Sequence, residues 1–137
     1  MTPTAVTNTA RIKILIVDDK ERVRQDLRTA LGLMECLEVV GEAADGAEAL
    51  QQAECLGPDV VLMDLKMPGM DGFEAARQIK DCHLARGVVV LTLYGDKTTR
   101  QRATKAGVDA FVEKGTSIQM LSEIIQQVWS KVSRPSA

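Results

Sequence analysis

Histidine is almost missing from this chain. His83 is the single one in 137 residues, so a His-rich zinc site cannot be assembled. Aromatic residues are nearly as scarce. Phe73, Tyr94, Phe111 and Trp129 are too few to build a stacking platform for single-stranded nucleic acid. The three cysteines, Cys36, Cys55 and Cys82, are odd in number and form no CxxC pair. That excludes a disulfide framework and points to a reducing, cytoplasmic compartment, with core packing as the ordinary use of the thiols. No apolar run approaches the ~20 residues a membrane span needs, so no membrane partner is expected. Basic excess is absent too, with 17 Lys+Arg against 19 Asp+Glu and a net charge of −2. Direct nucleic-acid binding by this chain is therefore not expected.

What is present is ordinary globular composition, 45% hydrophobic and 26% charged, at a length suited to one domain. Residues 1–10 are Thr-rich without the basic-then-apolar order of a secretory signal, and read as a flexible tail. Residues 133–137 read as a C-terminal tail or linker stub, leaving 11–132 as the domain. Within it, Ile12 to Val17, Val60 to Met63 and Val88 to Leu91 are short, β-branched, almost wholly apolar runs. Strands buried on both faces look like this. The more polar Leu37 to Ala43 and the short Asp109 to Glu113 suit sheet edges.

Helical patterns fill the gaps at 20–32, 45–56, 71–82, 96–107 and 116–132. Asp45/Glu48, Asp71/Glu74 and Thr116/Gln119 have capping-box spacing, and Gly57-Pro58 stops the second helix. The last helix carries the stripe Ile118, Leu121, Ile125, Val128 and Val132, with Trp129 at its rim. Strand and helix thus alternate five times. That pattern predicts an α/β fold: a five-stranded parallel sheet with helices on both faces. With right-handed crossovers and strands 2 and 5 at the edges, the spatial order is 2-1-3-4-5, the flavodoxin-like doubly wound (βα)5 arrangement.

In such a sheet ligands bind beyond the carboxyl ends of the strands, here between strands 1 and 3. Strand 1 ends in Asp18-Asp19, strand 3 in Asp64, strand 4 in Thr92 and strand 5 in Lys114. Any one of these is readily a turn former, a helix cap or a solvated loop residue. The set is harder to explain so simply, because three carboxylates sharing a site repel unless a cation joins them. Hard oxygen ligands suit Mg²⁺, and a divalent ion beside an ammonium and a hydroxyl can receive a phosphoryl group. GxxxxGK[ST] and GxGxxG are both absent, so the phosphoryl group is not part of a gripped nucleotide. A covalent carboxylate carrier fits better, with Asp64 as nucleophile.

Val17-Asp18-Asp19, the block Val61-Leu62-Met63-Asp64-Leu65-Lys66-Met67-Pro68-Gly69-Met70-Asp71-Gly72, Leu91-Thr92 and Phe111-Val112-Glu113-Lys114 resemble the receiver domain of bacterial two-component response regulators. The resemblance spans roughly 11–132. It implies that Asp64 accepts a phosphoryl group from a phosphohistidine of a sensor kinase or histidine phosphotransfer protein. It further implies that Asp19, Asp64 and the backbone carbonyl of Lys66 ligate Mg²⁺, with Asp18 acting largely through water. Lys114 would pair with a phosphoryl oxygen, Thr92 would swing its hydroxyl to another, and Phe111 would change rotamer with it. Met67-Pro68-Gly69 would shape the neighbouring loop.

Several positions depart from the family's usual pattern. Gly115 follows Lys114 where proline is frequent, a variant common in receivers joined to helix-turn-helix output domains. Leu93 stands where a small residue is frequent and narrows access. Lys66 and Tyr94 are both long at positions flanking the hydrolytic water's path, which implies slow autodephosphorylation.

Helix 96–107 has only Ala103 and Ala106 to face a core, and four basic residues (Lys97, Arg100, Arg102, Lys105) against Asp96. It reads as a weakly anchored, solvated face, free to shift when Thr92 moves. With strand 109–113 and helix 116–132 it forms the expected output face for a downstream partner. Met120, off the last helix's stripe, keeps a homodimer open. The chain is read as a switch, not as an enzyme acting on external substrates. Two alternatives stand beside it. One is a phosphorylation-independent interaction module. The other is a Mg²⁺-dependent aspartyl-phosphate phosphohydrolase, disfavoured because Lys66 replaces the second acid such enzymes place two residues after the nucleophile. A flavin carrier on this fold would want aromatic walls and a phosphate loop, and has neither.

Overall fold

Val60–Met63 (β3) contains no polar side chain and is fully buried, so both of its faces must be covered. The computed structural model, which describes residues 11–133 except Pro68, Met70 and Tyr94, shows how. The expected tail at 1–10, residues 134–137 of the C-terminal one, and the roles ascribed to Pro68 and Tyr94 lie outside the described residues. β3 pairs in parallel with Ile12–Val17 (β1) on one side and Gly87–Thr92 (β4) on the other. The half-exposed Leu37–Ala43 (β2) and the four-residue Ala110–Glu113 (β5) form the edges, giving the all-parallel order β2-β1-β3-β4-β5.

Alternation along each strand divides the core in two. Ile12, Ile14 and Ile16 of β1 point to one face with Leu62, Val89 and Val112. There they meet Leu31 of Glu21–Gly32 (α1) and Leu121, Ile125 and Val128 of Ile118–Val132 (α5). Leu15, Val17, Val61, Met63 and Val88 point to the other face. This second layer is lined by alanines: Ala49 and Ala53 of Gly46–Leu56 (α2), and Ala75 and Ala76 with Ile79 of Gly72–Asp81 (α3). Small side chains let those helices lie close on the sheet. Lys97–Lys105 (α4) buries only Ala103, with Ala106 buried at its C-cap.

The caps follow the sequence with two differences. Asp45 accepts from Glu48 N–H, and α2 ends on Gly57 at φ 58° as expected. Asp71 caps α3 through Phe73 N–H, but Glu74 turns outward to Arg77 and Gln78 and closes no box. α5 is capped one residue later than expected. Thr116 donates its hydroxyl to Glu113 O at 2.8 Å, and Ser117 takes over, accepting from Met120 N–H. The cysteines need correcting as well. All three are exposed and free: Cys55 lies on α2, whose inward stripe is taken by alanine, Cys82 is the C-cap of α3, and Cys36 stands in the loop before β2. His83 is exposed and takes a left-handed φ of 55°.

Gly72 ties the fold to the loop after β3. A Cβ there would sit 2.8 Å from Leu65 Cα and Leu65 O and 3.1 Å from Asp64 O, all of them backbone. Gly72→Ala is expected to lower stability by about 1–3 kcal/mol in urea unfolding, the usual cost of overpacking. An unchanged midpoint would show that the loop after Asp64 yields freely.

Candidate phosphoryl and metal site

Each central residue lies just past a strand and is still held by the sheet's backbone. Asp18 N–H donates to Ala43 O at 3.0 Å and Asp64 N–H to Val17 O at 2.9 Å. Lys114 N–H donates to Thr92 O at 2.7 Å. The side chains therefore leave the sheet edge from rigid positions, between β1 and β3 where the strand order reverses. Asp18, Asp64 and Thr92 are buried, at 1%, 5% and 0% exposure.

The ammonium of Lys114 joins the two buried acids. Its Nζ donates to Asp18 Oδ2 at 3.0 Å and to Asp64 Oδ2 at 3.3 Å. Burial works against the charged amine, but hydrogen bonds and attraction from Asp18 and Asp64 outweigh it and raise its pKa above that of an ordinary lysine. Lys114 therefore stays protonated across the neutral range. Asp18 Oδ1 accepts from Lys20 N–H at 2.9 Å, and Asp64 Oδ1 from Lys66 N–H at 3.3 Å.

Asp19 completes the cluster in a different condition. Its Oδ1 is buried without a hydrogen-bond partner, and the Lys20 ammonium lies 3.8 Å away on an exposed side chain. One carboxylate oxygen from each of Asp18, Asp19 and Asp64 lies within 4.8 Å of the others. Lys114 is the one ammonium hydrogen-bonded to the cluster, and with the exposed Lys20 ammonium counted as well the three carboxylates still carry excess negative charge. A hard divalent cation fits this oxygen-only donor set and would supply what Asp19 lacks. Lys66 stands on the loop two residues after Asp64.

Thr92 closes β4 and lines a cavity of about 220 Å³ with Leu65, Lys66 and Phe73. Leu93 beyond it is 68% exposed. Phe111 is not part of the cluster. Its neighbour Val112 points into the α1–α5 core, so Phe111 faces the opposite layer, where the Arg100 guanidinium lies 4.7 Å from the ring centroid.

The four basic residues of α4 lie on an exposed face, as expected, but two of them also find partners on other elements. Arg100 also donates to Gly95 O and pairs with Glu113 at 3.5 Å, while Arg102 covers Phe73 at 4.0 Å and pairs with Asp71 at 3.1 Å. Two arginines thus hold α4 to β5 and to the start of α3.

Arg24, which touches the site's supporting loop, and Glu42, which braces it, were not singled out by the sequence pattern. Arg24 donates to Asp18 O at 2.6 Å and to Glu42 Oε1 at 3.0 Å. The available signal was the four-residue spacing of Arg24 and Arg28 beside an acid on a neighbouring strand.

The partnerless Asp19 oxygen gives a direct expectation. In chelator, Asp19→Asn should melt a few degrees higher than wild type, because it removes one of three mutually repelling charges. Mg²⁺ should then raise the wild-type Tm but not that of the variant, since a ligand stabilises only the state that binds it. A variant that melts lower in chelator, or still responds to Mg²⁺, would contradict this electrostatic account.

Comparison with known proteins agrees with this geometry. Residues 14–126 match the response regulator receiver domain family. The chain is 39% identical over 122 residues to the response regulator protein VraR of Staphylococcus saprophyticus, covering 89% of this chain and 58% of that protein. It therefore spans just over half the length of such relatives. Among solved structures, the receiver domain of the response regulator NarL from Mycobacterium tuberculosis superposes with a TM-score of 0.80 at 29% identity, over 93% of this chain and all of that one. A LuxR-family two-component response regulator from an Aurantimonas species gives 0.82 at 31% identity, over 89% of this chain and 87% of that one. The chain belongs to the receiver domains of two-component response regulators.

Proposed function

We propose that residues 11–132 form a phosphorylation-controlled switch in which Asp64 carries the phosphoryl group. The observation that carries this reading is the Lys114 ammonium shared by Asp18 and Asp64 beside the partnerless oxygen of Asp19. A carboxylate oxygen of Asp64 attacks phosphorus, and the P–N bond to the donor's imidazole breaks. The electron pair of that bond leaves with the imidazole of a sensor kinase or phosphotransfer protein. Lys114 remains protonated and moves its hydrogen bond from Asp64 to a phosphoryl oxygen. Mg²⁺, held by Asp19, Asp64 and the Lys66 carbonyl with Asp18 in support, would neutralise charge on the transferring group.

The added charge then redistributes the partners. Thr92 is buried at the end of β4 and turns its hydroxyl toward the new oxygens; Phe111 on the adjacent strand follows. Because Arg100 rests on the Phe111 ring, that motion reaches α4 directly. The outer faces of α4, β5 and α5 are where an output domain or protein reads the state. Long side chains at Lys66 and Tyr94 slow hydrolysis of the phosphoryl group. A cytoplasmic location goes with this reading, and with the three free, exposed thiols.

Incubation with acetyl phosphate and Mg²⁺, followed by intact mass measurement, tests the proposal. Wild type should gain the mass of one phosphoryl group, and omission of Mg²⁺ or Asp64→Asn should abolish the gain. Failure to form either this adduct or a beryllofluoride complex would leave a phosphorylation-independent interaction module as the better description.

A further inference from the structure

The peptide joining Asp18 to Asp19 lies just beyond the sheet. The register of β1 with β2 ends at Val17 and Ala43, and Asp18 N–H makes the next bond, to Ala43 O. The Asp18 carbonyl is past that ladder and is instead held by a side chain. Arg24, one turn into α1, donates to it from Nη1 at 2.6 Å.

Arg24 is itself braced. Its side chain is 14% exposed, and its Nε donates to Glu42 Oε1 at 3.0 Å. Glu42 reaches in from β2, and its second oxygen accepts from Arg28 Nε at 2.7 Å. Arg28 is 48% exposed and touches the acid but not the loop. The planar guanidinium presents two separate nitrogens, held in a fixed geometry, to acceptors on two elements, whereas a lysine would have to reach both from one nitrogen.

We infer that Arg24 is a positioning residue for the metal site: it fixes the plane of the Asp18–Asp19 peptide and so holds the partnerless oxygen of Asp19 toward Asp18 and Asp64. The three carboxylates repel one another, so the loop carrying two of them tends to open when nothing binds it. Asp18 is restrained through its own carboxylate by Lys20 N–H and Lys114. Asp19 Oδ1 accepts no hydrogen bond and has only the exposed Lys20 ammonium at 3.8 Å, so its position depends chiefly on the backbone leading to it. The inference rests on the proposed Mg²⁺ site and adds the group that preorganises it. Partners that orient metal ligands are commonly worth about 10–100-fold in affinity.

Titration calorimetry with MgCl₂ tests it, alongside thermal unfolding in chelator. Arg24→Ala should weaken Mg²⁺ binding by about 10-fold or more. Arg24→Lys, which keeps the charge and one donor, should fall between it and wild type. Arg28→Ala, which removes only the outer half of the brace, should bind Mg²⁺ as wild type does. Equal affinity in wild type and Arg24→Ala would overturn the inference alone. A loss in Arg28→Ala matching that in Arg24→Ala would also overturn it, by reducing Arg24 to general support of α1. No Mg²⁺ uptake by wild type would overturn the metal reading and this inference together.

Discussion

Three carboxylates at the end of a buried parallel sheet repel one another, and the local structure is arranged around that repulsion. One ammonium, Lys114, is shared between the two most buried acids. Backbone N–H groups of Lys20 and Lys66 take one oxygen each of Asp18 and Asp64. Asp19 is left over: its buried oxygen accepts no hydrogen bond and has only the exposed Lys20 ammonium at 3.8 Å. The cluster costs stability while the cation is absent. A cation bound there, and a phosphoryl group added at Asp64 as proposed, would repartition these contacts. A neutral site would have little to redistribute.

One helix, α4, is held unlike the others. α1, α2, α3 and α5 bury leucine, isoleucine, valine or alanine against the sheet. α4 buries one alanine within its span and relies on two arginines lying over Phe111 and Phe73. Such contacts are worth only about 0.5–1 kcal/mol each at exposed sites, and their ion pairs with Glu113 and Asp71 add little in water. A helix held by terms this small can be moved by a single ring rotation. Arg100 lies on the residue expected to rotate, so the proposed coupling would be local and need no long pathway.

Much of this was legible in the sequence because it depends on period and position. Apolar runs of four to six residues marked the strands, and their polarity separated central from edge strands. The four charged residues that meet at the site stand immediately after strands, where the fold rule alone brings them to one edge. What escaped was set by tertiary neighbours. Cys55 turns outward because alanines take the inward positions of α2, while Cys36 and Cys82 fall in the loop before β2 and at the end of α3. The move of the α5 cap from Thr116 to Ser117 followed from a competing bond to Glu113 O. The arginines were the largest omission. A charge run has no visible partner in sequence, yet Arg24, Arg100 and Arg102 each find an acid or a ring on another element.

The central claim is that charge added at Asp64 reaches α4 through Thr92, Phe111 and Arg100. Backbone amide NMR of the uniformly labelled protein, with and without beryllofluoride and Mg²⁺, tests it most directly. The account predicts shift changes extending from Asp64 and Lys114 through Thr92 and Phe111 into residues 97–105. Changes confined to the loops at 18–20, 64–66 and 114–116, with α4 unmoved, would contradict it.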